Sequence, residues 1–181
     1  MRNPPITIPL LLASGTVGWI HASRYDPIPG SDRPINAFLV TDCAAAMQEA
    51  AQRGASAAHS VLTATGAIGP EQLVVGFDVP GLPAGEPVIG GSAGLAFALA
   101  TAQLLLARPC DDIAATGVVE AATELAPVGG VEGVPAKLTA GCEALLGGAR
   151  LCYPAADEAS LDAALRARLA ASGCTLIPVT S

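Results

Sequence analysis

"QLVVGFDVPGLPAGEPVIGGSAGLAFALATAQLLLA", residues 72–107, passes through three kinds of local structure in succession. "QLVVGFDV" (72–79) is rich in β-branched and apolar residues and predicts a buried strand. "PGLPAGEPVIGG" (80–91) is broken by Pro and Gly throughout and predicts a loop. From Ser92 the chain is uncharged as far as Ala107, which predicts a helix buried on most sides with Ser92 at its start. Thr101 and Gln103 interrupt that helix, and it falls short of the roughly 20 apolar residues needed to cross a bilayer.

Outward from this stretch, strands and helices keep alternating. Residues 6–12 and 16–22 read as strands meeting near Ser14-Gly15, 23–34 as a Pro/Gly/Asp-rich loop, and 35–41 as a further strand. Asp42 is placed to cap a long Ala-rich helix to residue 64, with Gly54 marking a close approach or a weak point. Residues 113–119 and 124–128 read as a strand pair, and Gly129-Gly130 as a turn leading to a helix from about Ala136. Residues 149–154 form a strand, a helix starting at Asp157 or Ser160 runs to Gly173, and 174–179 form the last strand. The alternation predicts one mixed α/β domain over 1–181, with mixed sheets and about four helices.

Composition narrows the function classes. The 181 residues are 51% hydrophobic but only 3% aromatic, so the core must be built from Ala, Val and Leu. A net charge of −7 and the lack of any Lys/Arg cluster argue against a nucleic-acid partner. At the N-terminus Pro4, Pro5 and Pro9 break the apolar run that a secretion signal requires, so the chain reads as soluble and cytoplasmic, with no membrane partner. Its five cysteines form no C-x-x-C pair and lie apart from His21 and His59. They read as buried free thiols of a reducing compartment, and neither a metal nor another cofactor is expected.

Two features could carry chemistry. "GGSAG" (90–94) fits G-x-S-x-G, which lets Ser92 sit on a tight turn between Gly91 and Ala93 with helix N–H groups beside it. The base for such a serine is the open question. Both histidines precede Ser92, which defeats the hydrolase order Ser–Asp–His, and each reads as a structural or surface residue. Lys137 is the only lysine among nine basic residues and lies in the nearly uncharged "VEGVPAKLTAG" (131–141). Unlike arginine, lysine can give up its proton when buried, and so act as a base. The competing reading is an ordinary solvated helix residue. A phosphate loop is ruled out, because Ala136 and Leu138 flank Lys137 where Gly and Ser/Thr are required.

"GGSAGLAFALA", then "AATG" ending at Thr116-Gly117, then "APVGGV" and "AKLTAG" resemble, in that order, the proteolytic domain of Lon proteases. "AFLVTDCAAAMQEAA", "EQLVVGFDVPGLPAGEPVIGGSAG", "ARLCYP" and "CTLIPV" extend the resemblance over residues 35–179, while 23–34 match poorly. The resemblance implies a Ser–Lys dyad with Ser92 as nucleophile and Lys137 as general base. It also implies that Thr116 hydrogen-bonds the lysine and that Gly91 and Ala93 support the serine turn. From it follow a serine endopeptidase acting through an acyl-enzyme, an unfolded protein or peptide as substrate, and assembly into a homo-oligomeric, hexameric ring. This chain departs from the family in a longer approach from Gly130 to Lys137, and in Val88-Ile89 where many members carry an acidic residue. No Walker motif accompanies the domain. The expectation is therefore a stand-alone, ATP-independent peptidase, fed where necessary by an unfoldase or delivery partner in trans. A silent binding module and a small-substrate esterase or amidase are the alternatives.

Overall fold

The computed structural model describes residues 6–40, 43–80, 90–123, 125–146 and 148–181. Among the described residues nine strands and four α-helices follow one another: β1 Ile6–Leu11, β2 Val17–Tyr25, β3 Ile35–Leu39, α1 Ala45–Ala64, β4 Leu73–Asp78, α2 Gly94–Leu106, β5 Ile113–Ala115, β6 Val118–Val119, β7 Val128–Gly129, α3 Val134–Ala144, β8 Arg150–Pro154, α4 Ala163–Ala171 and β9 Thr175–Val179. Seven strands form one sheet in the order β3-β4-β2-β1-β5-β8-β9, and β6 and β7 form a separate antiparallel pair. β2 runs antiparallel to β1 and β4, and every other neighbouring pair in the large sheet is parallel. The expected mixed α/β architecture is therefore observed.

Alternation along the strands sorts the core onto two faces. Leu10, Ala115 and Cys152 pack with α1 and α2, whereas Leu11, Ala114, Leu151 and Tyr153 pack with α3 and α4. Small residues permit the close approach that the composition predicts. A Cβ on Gly54 would lie 2.4 Å from Gly94 O and 2.9 Å from Ala98 N, so α1 and α2 cross backbone to backbone there. Gly54 is thus a packing residue rather than a weak point. Edge strand β3 is blunted by α1. Gln48 accepts from Leu39 N and donates to Ala37 O, and Gln52 accepts from Ala37 N and donates to Ile35 O, at 2.8–3.1 Å. Two side-chain amides thereby stand where a further strand would add.

Several boundaries move. β2 continues to Tyr25, three residues into the predicted loop, because Ser23, Arg24 and Tyr25 pair with β4 and the Tyr25 ring packs against Phe38 at 5.1 Å. The predicted strand 113–119 is two strands. Ala115 ends its part in the large sheet, the chain turns at Thr116-Gly117, and Val118-Val119 pair with Val128-Gly129. α3 starts at Val134 rather than Ala136, with Gly133 in the left-handed region (φ 69°) and Pro in its first turn. The last helix is capped by Asp162, whose carboxylate accepts from Leu165 N at 2.7 Å. Residues 155–160 form a separate 3₁₀ turn, so neither Asp157 nor Ser160 caps α4. The cap expected at Asp42 and most of the loop 80–91 lie outside the described residues.

The cysteine reading is corrected in part. Cys142 on α3 and Cys174 just before β9 form a disulfide with Cα atoms 6.4 Å apart, while Cys110 and Cys152 remain thiols. Packing of α3 and β9 around one core brings together two positions whose spacing carried no signal. The scatter of cysteines is therefore no ground for assigning a reducing compartment. Among the described residues, no helix is long and apolar enough to cross a membrane.

Gly54→Val forces a branched side chain against two backbone atoms of α2. It is expected to lower stability by about 2 kcal/mol or more, seen as a fall in the urea midpoint with an unchanged slope.

Candidate active site

β1, β5 and β8 run parallel, so their C-terminal ends lie along one margin of the sheet. In open α/β sheets such a margin is where loops converge and ligands are taken up. Two helices begin here. A 3₁₀ turn, Gly90–Ala93, leads into α2 and carries Ser92, which is half-buried between half-buried Gly91 and Ala93, the latter only 2% exposed. α3 begins beside the end of β1, where a Cβ on Gly133 would lie 3.5 Å from Ala13 O. Lys137 lies in the first turn of α3.

The turn at Thr116-Gly117 stitches the serine segment to the end of β5. Gly117 N–H donates to Ser92 O at 2.8 Å, and Leu95 N–H donates to Gly117 O at 3.0 Å. Thr116 is fully buried, its N–H donates to Cys152 O at 3.0 Å, and its hydroxyl donates to Ser92 O at 3.3 Å. Gly117 has to be glycine, because a Cβ there would meet Val128 Cγ1 at 2.6 Å. Gly94 is held by the same hairpin, a Cβ there falling 2.8 Å from Val119 N. Position and orientation of the Ser92 backbone are thus set from outside its own helix.

Lys137 is 2% exposed, which overturns the solvated-lysine alternative. Val134 and Leu138, its neighbours on α3, are buried in the core shared with Leu11 and Tyr153. Burial pushes the Lys137 amine below its ordinary pKa, while the carboxylates of Asp157 and, less strongly, Glu132 oppose that shift. Neither carboxylate pairs with it within 4.0 Å. Among the described residues, the amine is therefore held without a direct counter-ion.

The structure brings Ser92, Thr116, Gly91 and Ala93 together. Lys137 stands on α3, which packs on the face of the sheet opposite α2. Among the described residues no hydrogen bond joins the Ser92 hydroxyl to the Lys137 amine. The bond expected between Thr116 and the lysine is also not formed among the described residues, where the Thr116 hydroxyl donates to the Ser92 carbonyl. His59, considered as a base for Ser92, is 4% exposed on α1, and its Nε2 has no hydrogen-bond partner among the described residues. It is buried as expected for a structural histidine, but it is not satisfied. Asp157 and Glu132 escaped the sequence reading. Asp157 had the look of a helix cap, and no local pattern marks a carboxylate that a distant strand end will carry to a lysine.

No protein-family model matches this chain, and no curated protein matches it.

The cost of burying Lys137 gives a direct test. Its folded pKa lies below the ordinary 10.5, so between those two values the folded state binds fewer protons than the unfolded state and stability rises with pH. Lys137→Met removes the penalty. It is expected to stabilise the fold at pH 7 by about 1 kcal/mol or more, with the advantage over wild type shrinking as pH climbs toward 10.5. Chemical denaturation across pH measures both.

Proposed function

We propose that the protein is a Ser–Lys hydrolase, an ATP-independent serine endopeptidase similar to the proteolytic domain of Lon proteases. The observation that carries this reading is the burial of the only lysine, 2% exposed, in a chain whose Ser92 turn is bonded in place by Gly117. An uncompensated buried amine lowers stability, and a purely structural role at that position is met better by Met or Leu.

In this mechanism the neutral Lys137 amine accepts the Ser92 hydroxyl proton as Oγ bonds to the carbonyl carbon of the scissile peptide. The C–N bond then breaks, and the proton passes from Lys137 to the departing amine. Water, deprotonated by the same amine, cleaves the acyl ester and regenerates Ser92. Negative charge on the tetrahedral oxygen is taken up by N–H groups around Gly91–Ala93, which precede α2 at its positive end. Thr116 supports the nucleophile by holding the Ser92 carbonyl. The substrate class is unfolded protein or peptide, delivered by an unfoldase in trans where folded proteins are the target. The resemblance further suggests a homo-oligomeric ring.

One observation favours a second reading, a silent binding module. The Ser92 hydroxyl and the Lys137 amine are not hydrogen-bonded. In the hydrolase reading the two groups come together when substrate binds, the point at which catalytic hydrogen bonds are often completed.

A fluorophosphonate probe and casein turnover separate the readings. Wild type is expected to label and to cleave, with a rate that rises with pH and reaches half its maximum below 10.5, the side on which burial moves the lysine. Ser92→Ala and Lys137→Ala are expected to lose about 10³-fold or more in turnover while remaining folded. Equal lack of labelling in all three proteins supports the binding module, and turnover of simple esters without casein supports an esterase.

A further inference from the structure

The loop that leads from β7 into α3, Gly130–Gly133, has no regular structure of its own, yet it sets where α3 begins and so where Lys137 stands. One side chain fastens it. Asp157, in the 3₁₀ turn that follows β8, accepts from Val131 N–H through Oδ2 at 2.8 Å. Its Oδ1 lies over Gly130, where a Cβ would meet it at 2.9 Å, so only glycine admits the carboxylate this closely. We propose that Asp157 is a positioning residue for Lys137: its carboxylate ties the loop 130–133 in place ahead of α3 and adds a negative charge to the field at the buried amine.

The surroundings leave that role to Asp157. Among the charged groups on the elements packed around α3, Glu158 is engaged by Tyr153 and Arg166, and Arg168 donates to Thr139. Among the described residues, Asp157 and, less strongly, Glu132 are the carboxylates that oppose the effect of burial on the Lys137 amine. Glu132 is exposed and belongs to the loop itself, whereas Asp157 is half-buried and anchored by the end of β8. The carboxylate thus has two separable effects. As an acceptor it orders the loop, and as a charge it keeps the amine protonated to a higher pH than burial alone would allow.

Because Lys137 is the only lysine, protein made with ¹⁵N- and ¹³Cε-labelled lysine shows one side-chain signal, whose titration can be followed directly by NMR. Asp157→Asn keeps an acceptor for Val131 N–H but removes the charge, and Asp157→Ala removes both. In Asp157→Asn the Lys137 midpoint is expected to fall by about half a pH unit or more, with the Val131 amide still protected from hydrogen exchange. In Asp157→Ala the midpoint falls and Val131 exchange accelerates by about tenfold or more. Glu132→Gln is the internal comparison and shifts the midpoint less than Asp157→Asn. An unmoved midpoint in Asp157→Asn, or a larger shift in Glu132→Gln, overturns the proposal, as does Val131 protection that survives Asp157→Ala.

The consequence for rate rests on the hydrolase reading. In an active enzyme Asp157→Asn should carry the pH–rate profile downward by the same amount as the NMR midpoint. The titration itself needs no turnover, so an inactive protein with the expected shifts refutes the hydrolase and leaves the positioning role standing.

Discussion

Two backbone hydrogen bonds tie the turn bearing Ser92 and the start of α2 to the residues that follow β5 in the large sheet: Gly117 N–H to Ser92 O at 2.8 Å, and Leu95 N–H to Gly117 O at 3.0 Å. Helix starts normally leave their N–H groups to solvent or to a capping side chain. Here a neighbouring chain segment takes one of those donors and engages the carbonyl just before the helix, so the turn Gly90–Ala93 is aligned by the sheet. For this to work the strand has to stop. β5 gives up its pairing after Ala115, and the chain bends at Thr116-Gly117 toward α2. The short β5 and the separate β6–β7 pair are the structural signs of that bend.

The approach is close enough to dictate composition. Gly54, Gly94 and Gly117 each face backbone or side-chain atoms at under 3.0 Å from where a Cβ would be. An Ala-rich core with few aromatics follows from such spacing, because large side chains would hold α1, α2 and the strand end apart. Tight packing of small residues also excludes water, which is what makes a buried amine costly and chemically distinctive. Desolvation and the field of two acidic groups then act on Lys137 in opposite senses, and burial prevails.

The halves of the site are built differently. The serine half is secured by backbone bonds and glycine contacts, which fix geometry to within a narrow range. The lysine half depends on a loop held by one carboxylate and on a helix linked to β9 through Cys142–Cys174. The two halves stand on elements that cover opposite faces of the sheet, and among the described residues no hydrogen bond joins the reactive groups.

Periodicity and composition alone sufficed for the alternation of strands and helices, for Ser92 at the mouth of a buried helix, and for Lys137 as the single lysine among arginines. These are properties of neighbours along the chain, where apolar spacing, glycine and proline act over a few residues. Other features arise only when distant segments meet. The division of 113–119 into two strands, the glutamine amides covering β3, the Cys142–Cys174 bond and the carboxylate of Asp157 against the loop 130–133 all belong to this class. Each depends on the sheet order and on which face a helix covers, and local sequence preference is blind to both because the interacting groups become neighbours only after the chain has folded.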